Sequence, residues 1–225
     1  MTRIVVFAKV PLAGFVKTRL IPALGAQGAA ALASRMLSYT LAQALAAGEQ
    51  AVELCMSPAP SDAAWKSVAR PQAVESSAQG EGDLGERMNR AMNRALARQQ
   101  GPVLLMGTDC PALNTAHILE AAHQLEHHDA VLVPAADGGY VMIGLRLPCP
   151  SLFNDMVWST PVVASETLHR MASLGLRVWQ GPVLHDIDEP ADLQHLQHPP
   201  HIFYAPCQEP QCAPQCGLIK AARPP

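Results

Sequence analysis

Short apolar runs alternate with longer amphipathic stretches along most of the chain. Residues 4–8 form a β-branched and aromatic run that predicts a strand, and a Pro- and Gly-containing loop and an Ala-rich helix over about 26–47 follow it. Residues 52–56 repeat the strand signal and end in the turn chemistry of Ser57-Pro58-Ala59-Pro60-Ser61. From Leu84 the apolar positions Leu84, Met88, Ala91, Met92, Ala95 and Leu96 fall at helical intervals, with charged and polar residues between them, which predicts an amphipathic helix. Residues 103–107 are apolar without a break, as in a parallel strand covered on both faces. A helix over about 116–126 follows, then strands over 130–134 and 140–145, joined by a hairpin turn across Ala136-Asp137-Gly138-Gly139. Thr160-Pro161 opens another helix, with Thr160 as its cap. Strands over 177–179 and 183–186 and a short helix over 190–196 complete the series. This alternation predicts an α/β fold: a mostly parallel central sheet with helices on both faces, three layers in all.

At 225 residues the chain is long enough for one sizeable core. Its 49% apolar share, rich in Ala and poor in aromatics, suits helices packed closely on a sheet. A net charge of -3 argues against a general nucleic-acid or anionic-membrane binder, so any anion site is local. No apolar run approaches the roughly 20 residues of a membrane span, and the opening stretch is too short for a signal peptide, which points to the cytoplasm. The six cysteines are scattered, which predicts reduced thiols. Beyond about Pro199 the sequence becomes Pro-rich and loses periodicity, so the domain is expected over 1–198 with a tail over 199–225. A homodimer is compatible with this composition.

The densest chemistry follows the first strand. Lys9, Lys17 and Arg19 fall within eleven residues, around Gly14. In an open α/β sheet, ligands bind beyond the carboxyl ends of the strands, where a Gly-containing loop lets backbone amides approach phosphate. Lys17 offers a point charge and Arg19 a fork for two phosphate oxygens. The plain alternative is an exposed loop with solvated charges. Asp109, at the end of an apolar strand, needs a cation or another partner if it is buried, and magnesium or manganese suits a carboxylate beside phosphates. It could equally serve a turn before Pro111 or cap a helix near Thr115.

Other groups read two ways. Asp186 and Asp188 share a face if their segment is extended and could complete a metal site, while Asp188 or Glu189 before Pro190, with Asp192, also makes a helix start. Asp137-Gly138-Gly139-Tyr140 reads structurally as a turn and functionally as an acceptor site, with Asp137 orienting or deprotonating a hydroxyl. Trp158-Ser159-Thr160 divides between core packing and an acceptor wall. His123 and His127 lie one helical turn apart, which a solvated helix face explains. His195, His198 and His201 lie near Cys207, Cys212 and Cys216, which lack a Cys-x-x-Cys pair. No Gly-x-Ser-x-Gly elbow occurs.

Taken together, the segments 7–20, Gly82-Asp83-Leu84-Gly85-Glu86-Arg87-Met88, 107–113, 134–144, Trp158-Ser159-Thr160 and Asp186-Ile187-Asp188 resemble a bacterial family labelled radical-SAM/selenodomain-associated transferase or arsenosugar-type glycosyltransferase. That family is similar to the GT-A nucleotide-diphospho-sugar transferases, and the likeness implies a three-layer Rossmann-like sandwich with a divalent metal, Mg2+ or Mn2+, beneath a nucleotide diphosphate. Carried over, it implies a nucleotide site at Ala8, Lys9, Gly14, Lys17, Arg19, Gly82, Asp83, Leu84 and Asp109, with Lys17 and Arg19 facing phosphates and metal at Asp109 and Asp188. The acceptor would meet Asp137, Gly138, Gly139, Tyr140, Trp158 and Ser159. Many GT-A enzymes carry Asp-x-Asp at the metal, whereas this chain has Thr108-Asp109-Cys110, which directs interest to the distal aspartates. Val16-Lys17-Thr18-Arg19-Leu20 is also similar to 2-phospholactate guanylyltransferases, but the Leu-Ala-Gly-Gly loop of related nucleotidyltransferases is missing. The leading expectation is a metal-dependent glycosyltransferase with a nucleoside-diphosphate sugar donor, a small-molecule acceptor and Asp137 as base. The alternatives are a nucleotidyltransferase and a non-catalytic nucleotide-binding protein.

Overall fold

The computed structural model describes residues 1–48, 51–98 and 101–197, so the boundary expected at 198 and the tail expected over 199–225 lie outside the described residues. Seven strands form one sheet: β1 (Arg3–Lys9), β2 (Val52–Ser57), β3 (Val74–Ala78), β4 (Val103–Met106), β5 (Ala130–Pro134), β6 (Tyr140–Leu145) and β7 (Val178–Gln180), in the order β3-β2-β1-β4-β6-β5-β7. The pairs β1·β2, β1·β4, β2·β3 and β5·β7 are parallel, while β6 runs antiparallel to both β4 and β5.

Alternation within the strands explains the layers. Ile4, Val6 and Ala8 of β1 point into one apolar cluster with α1 (Ile21–Ala46) and α3 (Thr115–Gln124), through Leu37, Leu41, Ile118 and Ala121. Val5, with Val103 and Leu105 of β4, points the other way, onto α2 (Leu84–Arg98) and α4 (Val163–Ser173), through Met88, Met92, Ala164 and Met171. Both faces of the central strands are therefore buried, which is why β4 reads as continuous apolar sequence. A third cluster joins Leu20, Met36 and Tyr39 to Ile187 and Leu196, and it pins the C-terminal described segment against the start of α1.

Several local expectations shift. The first helix begins at Ile21 rather than near 26, with a break at Gly25, where φ is 68°. The edge strand β3, beside β2, carries the polar sequence VESSA and gives little apolar signal. The strand expected over 183–186 is reduced to an isolated bridge between Leu184 and Ala135. Thr160 does not cap α4: its hydroxyl donates to the Val157 carbonyl, and the helix starts at Val163 with no side-chain cap. Asn114, not Asp109, caps α3, in a reciprocal box with His117.

Candidate active site

The carboxyl ends of β1, β4 and β5, the beginning of the antiparallel β6 and the stretch after β7 all reach the same edge of the sheet. There Gly107, Asp109, Cys110, Ala135, Asp137, Gly139, Tyr140, Val141 and Asp186 line a cavity of about 150 Å³. Open α/β sheets bind ligands at this edge.

The loop after β1 reaches the cavity through Lys17. Its backbone is left-handed, with φ 49° and ψ 41°, and its side chain is only 4% exposed. The ammonium lies 2.7 Å from Asp109 Oδ1 and donates to the Ile187 carbonyl, while Asp188 Oδ1 stands 3.9 Å away. Ile187 N in turn donates to the Asp109 carbonyl at 2.8 Å, so the end of β4 and the segment after β7 are stitched together beside Lys17. An ammonium has three N–H bonds, and these contacts leave one for a ligand. Arg19 is more open: it donates to Asp188 Oδ2 at 2.9 Å and lies 3.5 Å from Glu189.

The two distal aspartates separate. Ile187 is buried in the cluster around Leu20, and the residues flanking it diverge. Asp188 is held by Arg19 and does not line the cavity, whereas Asp186 does. Burial, then the charge of Asp137, pushes the Asp186 carboxyl up to about 6. Among the described residues no Lys or Arg approaches Asp186 within salt-bridge range. The helix start expected from Asp188 or Glu189 is instead made by Asp192, whose Oδ2 accepts from the backbone N–H groups of both.

Asp137 is exposed, and its Oδ1 accepts from Gly139 N at 2.8 Å, which leaves Oδ2 open. Gly138 has φ +91°, and a Cβ there would lie 2.0 Å from the Pro161 carbonyl oxygen, so the turn closes directly onto the approach to α4. Tyr140 and Trp158 meet edge to face with ring centroids 6.4 Å apart. Trp158 lies on Gly85, where a Cβ would come within 2.9 Å of its Nε1, and that buried N–H has no hydrogen-bond partner among the described residues. Burial pushes the Tyr140 hydroxyl well above its ordinary value. Cys110 is likewise pushed up to about 11, mainly by burial, and is an inert wall rather than a nucleophile. Ser159 is exposed beside Trp158, with φ 60°.

The remaining expected nucleotide contacts lie around the same edge. Lys9 and Gly14 are exposed, and Ala8 is buried with its carbonyl accepting from Gln79 Nε2 at 3.0 Å. Gln79 also donates to the Cys55 carbonyl and accepts from Arg87, so it fixes the loop that carries Gly82, Asp83 and Leu84 to the ends of β1 and β2. Asp83 caps α2 in a reciprocal pair with Glu86, and Leu84 packs on the core. No periodic pattern in the sequence singles out Gln79. It is recognisable only as a polar residue 1% exposed, with its amide fully used.

Among the described residues no helix is long and apolar enough to cross a membrane. No curated protein matches the chain. Among solved structures, it is similar to a candidate nucleotide-diphospho-sugar transferase from Desulfovibrio desulfuricans G20, at 35% identity and a TM-score of 0.79, over 87% of this chain and 85% of that one. At 11% identity and a TM-score of 0.56 it resembles CMP:2-keto-3-deoxy-manno-octonic acid synthetase complexed with CTP, over 88% of this chain and 97% of that one. The 4-diphosphocytidyl-2C-methyl-D-erythritol synthase from Anaerococcus prevotii DSM 20548 gives 12% and 0.55, over 88% and 98%. The last two share the fold. The architecture is thus that of the nucleotide-diphospho-sugar transferases, as the sequence led us to expect, and the first relative's class agrees with an expected transferase. Residues 40–160 match a family model and a 35% identical relative covers most of the chain, so this protein belongs to the family described as "Uncharacterized protein conserved in bacteria (DUF2064)".

Proposed function

We propose that the protein is a metal-dependent glycosyltransferase, of the arsenosugar-type branch, that moves a sugar from a nucleoside-diphosphate donor to a small-molecule acceptor in the cytoplasm. One observation carries this reading: Lys17 from the loop after β1 meets Asp109 at the rim of a cavity that also collects Asp137 and Asp186. Cations from the loop and an acid-bound ion can then flank one diphosphate.

The donor set suits Mg2+ or Mn2+, since it consists of hard carboxylate oxygens, and among the described residues Asp186 makes no ion pair with a Lys or Arg. We assign the ion to Asp109 and Asp186; Asp188, the second ligand implied by resemblance, is taken by Arg19. Bound there, the ion would polarise the donor's phosphate oxygens and offset charge on the departing nucleotide. Lys17 would give its remaining N–H to the leaving diphosphate, and Arg19 its free guanidinium edge. The free oxygen of Asp137 would accept the acceptor's hydroxyl proton as the acceptor's own oxygen attacks the sugar's anomeric carbon and the bond to the diphosphate breaks. Tyr140 and Trp158 would form the apolar wall of the acceptor site, beside Gly138, Gly139 and Ser159. The loop of Lys9, Gly14 and Gly82 to Leu84 would hold the nucleotide.

A thermal-shift panel of nucleotide sugars and nucleoside triphosphates, with and without Mn2+, tests the reading, because a ligand bound by the folded form alone raises the melting temperature. Mn2+-dependent stabilisation by a nucleotide sugar, with nucleoside diphosphate released on turnover, is the expected result. Pyrophosphate release from a triphosphate would replace it with nucleotidyl transfer. Binding without product from any donor would leave a nucleotide-binding protein.

A further inference from the structure

We infer that His123, Glu126 and His127 form a surface site for a divalent transition ion of the zinc class, separate from the acid-lined cavity. Their ligand atoms all lie within 4.8 Å of one another, and among the described residues they are the one such group of three. A tetrahedral shell with bonds of about 2.1 Å needs ligand atoms on the order of 3.4 Å apart, so small rotations of exposed side chains close the set.

All three side chains are uncommitted. Among the described residues none has a side-chain hydrogen bond or ion pair, and the two rings meet edge on, with centroids 5.7 Å apart and planes at 83°. Their backbone is firmly held. Leu125 is fully buried, and the N–H groups of Leu125, Glu126, His127 and His128 donate to Ala121, His123 and Gln124 carbonyls, so the last turn of α3 runs on through the three ligands. The Cα positions are therefore already fixed, and binding an ion has only the three side chains left to order.

The electrostatics favour a cation. The ligands stand at the C-terminal end of α3, the negative end of its dipole. Arg146 is the cation that touches this turn, and its guanidinium donates to the Glu126 carbonyl at 3.1 Å rather than to the carboxylate. Glu120, one turn earlier, accepts from Gln124. Two imidazoles and a carboxylate suit zinc, copper or nickel and disfavour magnesium, which takes oxygen ligands. Three protein ligands leave one position for water.

Equilibrium dialysis of the full chain against Zn2+ tests the site by difference, since the C-terminal cysteines and the acidic cavity can also take the ion. Wild type is expected to bind one more equivalent at micromolar free Zn2+ than the double variant His123→Ala/His127→Ala. Glu126→Gln should weaken that equivalent about tenfold, and Asp109→Asn should retain it. All three residues are exposed, so the variants should melt like wild type without metal. Equal stoichiometry and affinity in wild type and the double variant would overturn the assignment.

Discussion

At the scale of single residues, Lys17 holds two roles in tension. Its left-handed backbone costs a non-glycine residue about 1–2 kcal/mol, and it is retained while the buried ammonium ties Asp109 to Ile187. That ammonium occupies the charge a metal would meet at Asp109. Lys17→Ala should therefore tighten Mn2+ binding in the absence of nucleotide, read by titration, while turnover falls by two to three orders of magnitude with the lost diphosphate contact, about 3–4 kcal/mol. Arg19→Ala should lose turnover without tightening the metal. Asp186 tests the other side. Its native carboxyl titrates near 6, above the ordinary value, so the ionised form burdens the fold: the penalty is absent below about pH 4, grows through pH 6 and is complete above it. Asp186→Asn in chelator should melt higher than wild type at pH 8, with the gap closed by pH 4, and should lose the stabilisation that Mn2+ gives wild type. A lower melting temperature at pH 8 would contradict this.

At the scale of elements, legibility follows burial. The central strands announce themselves because both faces are covered, and α2 because Met88, Ala91, Met92 and Ala95 form one buried stripe. The sequence is silent on β3, whose outward positions are polar and whose pairing depends on β2. A buried polar network compensates at that edge. Glu53 is fully buried in β2 and holds Arg3, Arg94 and Ser77. Burial alone would raise its carboxyl, but hydrogen bonds from Ser77 and Arg94 and the charges of Arg94 and Arg3 hold it below its ordinary value. Glu53→Leu leaves Arg3 with Glu75 as its carboxylate partner and Arg94 with neutral partners alone, and should cost about 3–5 kcal/mol in urea unfolding. The opening of α4 misleads for a local reason: Thr160 turns back to Val157, and the chain needs two further residues before it can coil.

At the scale of the whole molecule, the site depends on contacts between segments far apart in sequence, and those were the least legible. Lys17 and Asp109 could be placed near each other because both follow strands that end on one edge. The choice between Asp186 and Asp188 could not be read locally, because Ile187 decides it by burying itself against Leu20 and α1. Ile187→Ala should cost about 2–5 kcal/mol, as large-to-small changes in cores do, and should weaken Mn2+ binding although the residue touches no ion. Chemical denaturation together with Mn2+ titration checks both effects; an unstable variant with unchanged Mn2+ affinity would separate core from site.

The reversal of β6 has a consequence for how such proteins can diversify. Since β6 begins where its neighbours end, the short connection carrying Asp137 sits at the mouth of the cavity and hangs from two strands already anchored in the sheet. Residues can be exchanged or inserted there without moving the β1 to β4 half that carries the loop of Lys17 and Arg19. Under the proposed function, relatives built this way would keep one donor apparatus and present it with different recipients.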